Sequence, residues 1–193
     1  NLVLNKIMAE DEVSPYALIC YNDRGLDQSS INNYLTHENT ILKIAYAITV
    51  LSNQKNHNQA LEVLNEIHKS KIPNHKIQLL SFIKKFPKIF SDEYIIEYLS
   101  DNSSAIKNAT LDFLISNPKN VFFEKIVFLL GEPETEKKAK QAILALNKSW
   151  TFEKLIKIIS NPAIETKYAK PILNIMHYFD DRRLIKIILE LIE

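Results

Sequence analysis

The most regular polar feature of this 193-residue chain is a lysine that returns at intervals of about thirty residues. Lys107, Lys137 and Lys167 follow one another at this interval, and Lys43 lies further upstream. Ammonium groups aligned on one surface attract anionic partners such as nucleic acid, acidic peptides or lipid headgroups. We call this set the lysine ridge and treat it as the candidate partner-binding surface. Its members are Lys43, Lys107, Lys137 and Lys167.

A structural role competes with binding at the lysine ridge. Recurrent surface lysines can instead pair with neighbouring acids and form a ladder of surface ion pairs. The net charge of +1 gives no general attraction to nucleic acid, and no aromatic residues alternate with these lysines. The pattern therefore favours the ladder of ion pairs, and nucleic-acid binding through the ridge remains the alternative.

Residues that could perform catalysis or hold a metal or cofactor show no recognisable pattern. No two histidines have the spacing of the His-Glu-x-x-His zinc motif, and Cys20 lacks the setting of a thiol nucleophile. Two glycines in the whole chain leave no glycine-rich phosphate loop. We therefore expect a non-enzymatic protein with no catalytic residue, cofactor or metal. The histidines considered are His37, His57, His68, His75 and His177.

Acidic and aromatic residues both gather near the predicted helix ends. Acids there stabilise the positive end of the helix dipole by ~0.3–1 kcal/mol each, which explains groups such as Glu132, Glu134 and Glu136. The aromatic residues are expected to fill the core between repeats, with a partner-binding patch as the alternative. These aromatic residues are Phe122, Phe123, Phe128, Trp150, Phe152, Tyr178 and Phe179.

The composition predicts a soluble, helical protein. The chain is 46% hydrophobic and 24% charged, which is typical of globular proteins and not of disordered ones. Glycine scarcity favours helices over sheets, because sheet proteins use glycine at their turns. The longest apolar run, from Ile41 to Leu51, is interrupted by Lys43 and is shorter than the ~20 residues that span a bilayer. We expect no membrane insertion and a cytoplasmic location, with the soluble part of a membrane-associated protein as a variant.

An apolar anchor recurs near the end of every second predicted helix. Successive anchors are separated by about thirty residues, an interval typical of solenoid repeats. Ten residues after the anchor the chain usually carries alanine, as at Ala45, Ala109, Ala139 and Ala169, and a small residue there lets two helices approach closely. The spacing therefore predicts repeated helical hairpins. The anchors are Leu35, Ile67, Leu99, Leu129 and Ile159.

The periodicity divides the chain into three parts. Residues 1–28 are irregular and are interpreted as a helical cap or a degenerate repeat, and residues 29–181 form the repeat array. Residues 182–193 are interpreted as the first helix of a further, incomplete repeat, with Ile188 as its anchor. Because the chain begins without methionine and ends inside a helical pattern, we interpret it as a piece of a longer protein.

The unit around Leu99 resembles the HEAT repeat, in particular its short bacterial (PBS-lyase-type) form. That form has a leucine, an aspartate two residues later, an apolar–basic pair and then alanine. Leu99, Asp101, Ile106, Lys107 and Ala109 match it in order. The resemblance implies that the lysines of the ridge pair with turn acids such as Asp101. The other units match in part, and the aspartate position is occupied by His37, Lys69, Gly131 and Asn161.

The resemblance implies an all-α fold, an α-α superhelix of about five HEAT-like hairpins wound as a right-handed solenoid. Arrays of this type usually bind proteins or serve as spacers, and in bacteria similar arrays occur inside regulatory or membrane-transporter chains. We therefore predict a non-enzymatic interaction or scaffold module whose partner is another protein or another domain of the same chain. A nucleic-acid-binding array that uses the lysine ridge is the alternative.

Overall fold

The structure is a computed structural model that describes residues 38–52, 57–83, 91–161, 163–179, 184, 185 and 189. Every secondary-structure element in these ranges is a helix, and they contain no strand, so the predicted all-α class is confirmed. The predicted cap at residues 1–28 lies outside the described residues, as does most of the terminal helix predicted at 182–193. None of the described helices has the length and apolarity that crossing a bilayer requires.

The chain divides after Ser91 into two compact units, a boundary that the periodicity did not indicate. The described helices of the N-terminal unit are α1 (Thr40–Ser52), α2 (His57–His68) and α3 (Pro73–Ile83), and each packs against the other two. Five consecutive residues of α1, from Ile44 to Ile48, are completely buried. Because five residues of a helix point in all directions, α1 is enclosed on every side at this level.

Within residues 92–161 and 163–179, the C-terminal unit contains six α-helices joined by short turns. Helix α4 packs against α5 and α6, α7 packs against α5, α6, α8 and α9, and α9 also contacts α6 and α8. Two 3₁₀ turns, Asn120–Phe122 and His177–Phe179, precede α6 and follow α9. The α-helices are α4 (Asp92–Leu99), α5 (Ser104–Ser116), α6 (Phe123–Leu129), α7 (Glu136–Ala145), α8 (Lys148–Ile159) and α9 (Thr166–Met176).

The predicted anchors that the structure describes are all buried and lie at the end of a helix. Leu99, Leu129 and Ile159 are the last residues of α4, α6 and α8, and Ile67 is the residue before the last in α2. Leu35 lies outside the described residues. Burial at the end of the first helix of each pair places the following turn against the core, which fixes where the next helix begins.

Candidate partner-binding site

The lysine ridge is not a uniform row of free charges. Lys107 donates two hydrogen bonds to Glu132, at 2.9 Å to Oε1 and 2.8 Å to Oε2, and its side chain is only 14% exposed. This pair connects α5 to the turn between α6 and α7. Asp101, the partner considered from the sequence, accepts the backbone N–H of Ser103 at 2.9 Å. Lys107 is therefore neutralised by an acid 25 positions further along the chain.

The remaining members of the lysine ridge have different surroundings. Lys167 forms a salt bridge with Glu165 at 2.9 Å, and the hydrogen bond that its ammonium donates to this carboxylate raises the pKa of Lys167. Its ammonium also lies 4.8 Å from the centre of the Tyr168 ring. Lys137 is exposed on α7, and Lys43 is half-buried on α1 in the N-terminal unit. Acidic residues thus accompany two of the three lysines in the C-terminal unit.

An open cleft of about 450 Å³ lies between α6 and α8, closed at one end by the loop before α9. Phe123 and Val127 of α6 are buried and form its inner part, whereas Phe128 is 59% exposed at its opening. Ile158 of α8 and Tyr168 of α9 are half-buried and complete the apolar lining. We call this feature the aromatic cleft.

Helical spacing places the lining residues of the aromatic cleft. Phe123 and Val127 are four residues apart on α6, and Lys154, Lys157 and Ile158 fall within one turn of α8, so each group shares a face. Local hydrogen bonds shape the loop between α8 and α9. The side chain of Asn161 accepts the N–H of Ala163 at 3.0 Å, and its backbone carbonyl accepts the N–H of Ile164 at 3.0 Å. Ala163 and Ile164 thereby reach the cleft.

Gly131 explains where the Tyr168 ring can lie. A Cβ atom at this glycine would be 2.5 Å from Cε1 and 2.9 Å from Cδ1 of Tyr168, so any other residue would displace the ring. Tyr168 also contacts Phe128 edge-to-face, with ring centres 5.8 Å apart. One of the two glycines of the chain therefore makes room for an aromatic side chain that lines the cleft.

The only tryptophan of the chain lies beside the aromatic cleft. The ring of Trp150 meets that of Phe123 edge-to-face, with centres 5.2 Å apart, and the ammonium of Lys154 lies 5.5 Å from the Trp150 ring centre. The side chain of Asn147 caps α8 by accepting the N–H of Trp150 at 3.1 Å. Trp150 thus contacts two lining residues at the start of the helix that forms one wall.

The charges of the aromatic cleft are distributed unevenly over its walls. The α8 wall carries Lys154 and Lys157, both exposed, and neither forms a salt bridge with any described residue. The α6 wall carries Glu124, which likewise has no salt bridge within the described ranges. Glu165 at the end of the cleft is paired with Lys167. Uncompensated positive charge therefore lies mainly on the α8 wall.

The chemistry available in the aromatic cleft is that of binding. Its lining contains aromatic and aliphatic residues, two lysines, two glutamates and an asparagine, and includes no histidine, cysteine or serine. Elsewhere among the described residues, no group of three histidine, cysteine, aspartate or glutamate side chains could hold a metal ion. An apolar interior with a few charged groups at its edge is typical of sites that recognise a partly apolar partner.

A hydroxyl–imidazole network joins three parts of the N-terminal unit. Nδ1 of His75 lies 3.0 Å from Oγ of Ser70, and Nε2 lies 3.3 Å from Oγ1 of Thr40. A hydroxyl group can donate or accept, so both nitrogens of the ring are satisfied in either tautomer. In a catalytic triad a carboxylate orients the histidine, whereas both partners of His75 are hydroxyl groups. We therefore interpret the network as a structural connection of α1 to the turn before α3.

Sequence reasoning identified part of this site. Phe123, Phe128 and Trp150 belong to the aromatic set that was expected mainly in the core, and the structure separates buried Phe123 from exposed Phe128. Tyr168, Lys154 and Lys157 were not singled out. The i, i+3 spacing of the two lysines on one helix was the available signal, but that spacing is common on solvated helix faces.

Comparison with known protein families, with curated proteins and with solved structures found no match to this chain.

Proposed function

We propose that the chain is a non-enzymatic protein-interaction module and that the aromatic cleft is its docking site. The cleft is the observation that carries this proposal, because an apolar opening with an exposed aromatic side chain has a cost in water unless a partner covers it. Its volume of about 450 Å³ falls within the usual range for sites that enclose a partner group. The partner is another protein or another domain of the same chain.

The packing of the C-terminal unit supports a stack of helical hairpins as the scaffold. Consecutive helices pair as α4 with α5, α6 with α7 and α8 with α9. The first helices α4 and α6 contact each other, and the second helices follow one another in contact as α5, α7 and α9. Two layers with this order of contacts are expected of a HEAT-like solenoid, in which each repeat touches mainly its neighbours.

Nucleic-acid binding through the lysine ridge is the weaker proposal. A phosphate backbone is held by positive charges that are not already neutralised. Glu132 pairs with Lys107 and Glu165 pairs with Lys167, so acids alternate with the lysines of the C-terminal unit. Of the three, only exposed Lys137 forms no salt bridge with a described residue.

Affinity capture from an extract of the producing cells tests the docking site. The wild-type chain is compared with Phe128→Ser, which removes the exposed aromatic side chain of the cleft. Val121→Ser is the matched control, since Val121 is 63% exposed and does not line the cleft. We expect a protein that the wild type and the Val121 variant retain and that Phe128→Ser retains about tenfold less, as for loss of a binding hot spot.

A second variant separates the cleft from the lysine ridge. Lys107 and Lys137 are changed together to glutamate, and circular dichroism checks that the variant still folds. Lys167 is left unchanged because it pairs with Glu165, which lines the cleft. The docking proposal expects this variant to retain the same partner. Equal capture by wild type and Phe128→Ser would contradict the proposal, and loss of the partner only in the ridge variant, together with DNA binding by the wild type at ~50 mM salt, would favour the nucleic-acid alternative.

A further inference from the structure

We propose that the aromatic cleft selects a peptide segment with large apolar side chains and acidic residues on the flank that faces α8. This inference rests on the proposed docking function and adds the chemical class of the partner. This preference follows from the apolar interior of the cleft and from the positive charge on its α8 wall.

The interior of the cleft requires apolar side chains from its partner. Phe123 and Val127 are buried, and Ile158 and Tyr168 are half-buried, so a polar group placed among them would lose its hydrogen bonds to water without replacement. The ring of Phe128, held against Tyr168, adds an exposed apolar edge that an aromatic or branched aliphatic side chain can cover.

The α8 wall supplies the positive charge. Lys154 and Lys157 are three positions apart in the sequence, so their side chains lie on the same face of the helix. Neither pairs with an acid within the described ranges. Lys154 lies over the Trp150 ring, a contact that places the ammonium near the cleft and leaves its hydrogen-bond donors available.

The carboxylates of the cleft do not cancel this charge. Glu165 is already paired with Lys167, and Glu124 lies on α6 and forms no salt bridge with Lys154 or Lys157. Glu124 also belongs to the first turn of α6, where the helix dipole stabilises it. A bound segment is therefore oriented, with its acidic side chains toward α8 and any basic side chain toward α6.

A displayed library of random twelve-residue peptides, without tryptophan or cysteine, tests this specificity on the full chain. Peptides selected by the wild type are sequenced and compared with peptides selected by Phe128→Ser. We expect the wild type to enrich peptides that combine aromatic or aliphatic residues with aspartate or glutamate. Binding of individual peptides is measured from the fluorescence of Trp150, the only tryptophan, which contacts two lining residues.

Charge reversal identifies the wall that receives the acids. The double variant Lys154→Glu/Lys157→Glu is expected to bind the selected peptides about three- to tenfold more weakly and to select lysine- or arginine-containing peptides instead. The control is Lys148→Glu/Lys170→Glu, which changes the net charge equally at two exposed lysines outside the cleft. The control is expected to retain both affinity and selection, and wild-type binding should weaken with added salt.

The outcomes separate this inference from the docking function. Enrichment that needs Phe128 but shows no excess of acidic residues would overturn the charge preference and leave the docking site in place. The same holds if the two charge-reversal pairs weaken binding equally, because the effect would then come from net charge alone. No enrichment by the wild type over Phe128→Ser would overturn both proposals.

Discussion

Glycine at position 131 acts through the space that it leaves empty. The chain uses glycine only twice, and here its missing side chain accommodates the ring of Tyr168. Tyr168 in turn supports Phe128, the exposed aromatic residue of the cleft. A residue without a side chain thus determines the shape of the proposed docking surface.

Gly131→Ala is expected to weaken both partner binding and the fold by a modest amount. The added Cβ displaces the Tyr168 ring and separates it from Phe128, so affinity for a peptide selected by the wild type should fall about three- to tenfold. Stability should fall by about 1 kcal/mol, the lower end of the usual cost of overpacking, because the half-buried ring can move outward. Fluorescence titration and thermal unfolding measure the two quantities.

The background variant Tyr168→Ala shows whether the ring is the cause. With the ring removed, Gly131→Ala should have no further effect on the free energy of unfolding. An equal loss in both backgrounds would show that the glycine is needed for its backbone and not for the space beside it.

Lys107 shows what can and cannot be predicted for one residue. The recurrence of lysine at this spacing was evident from the sequence, and an ion-paired role was favoured over binding. Its partner was not evident, because Glu132 lies 25 residues away and reaches Lys107 only after α5 and the turn following α6 pack together. Local patterns report which face a residue occupies, whereas the identity of a distant partner depends on tertiary packing.

Helix α8 forms one wall of the aromatic cleft, and its N-terminal cap determines where that wall begins. It carries Trp150 in its first turn and Lys154, Lys157 and Ile158 further along. Its start is fixed by Asn147, whose side chain accepts the N–H of Trp150. The wall of the cleft therefore begins at a single hydrogen-bonded residue.

Asn147→Ala is expected to lower the free energy of unfolding by about 0.5–2 kcal/mol, because the backbone N–H of Trp150 loses its acceptor. The first turn should loosen, and the emission of Trp150 should move to longer wavelength as the ring contacts water. Asn147→Asp is the matched control, since aspartate also caps helices well and should retain the wild-type values. A stability loss of the same size in both variants would mean that the cap does not account for the effect. Thermal unfolding monitored by fluorescence reports both properties.

The all-helical class of the protein could be predicted from its sequence, whereas the division into two units could not. Apolar periodicity located the buried helix ends at Leu99, Leu129 and Ile159, because burial on one face leaves a direct trace in the sequence. The division after Ser91 and the aromatic cleft left no such trace. The distance between two neighbouring helices depends on which large side chains lie between them, and these side chains can come from helices that are far apart in the sequence.

The C-terminal unit, residues 92–193, is expected to fold when produced alone. Its buried residues, among them Phe122, Phe152 and Ile172, are contributed by its own helices, and the unit is compact by itself. Calorimetry should show one cooperative transition with an unfolding enthalpy of about 70 kcal/mol, the usual value for ~100 residues. Far-ultraviolet circular dichroism should show a helical spectrum. A broad transition without a heat-absorption peak would contradict this expectation.

The exposed ring of Phe128 is expected to favour partner binding and, at the same time, to lower the solubility of the free protein. An aromatic side chain that is mostly in contact with water favours self-association as the protein becomes concentrated, and a polar residue would remove that tendency. The same change is expected to remove the partner. Selection for solubility and selection for the interaction would therefore act on this one codon in opposite directions, and retention of phenylalanine here would record which of the two has prevailed.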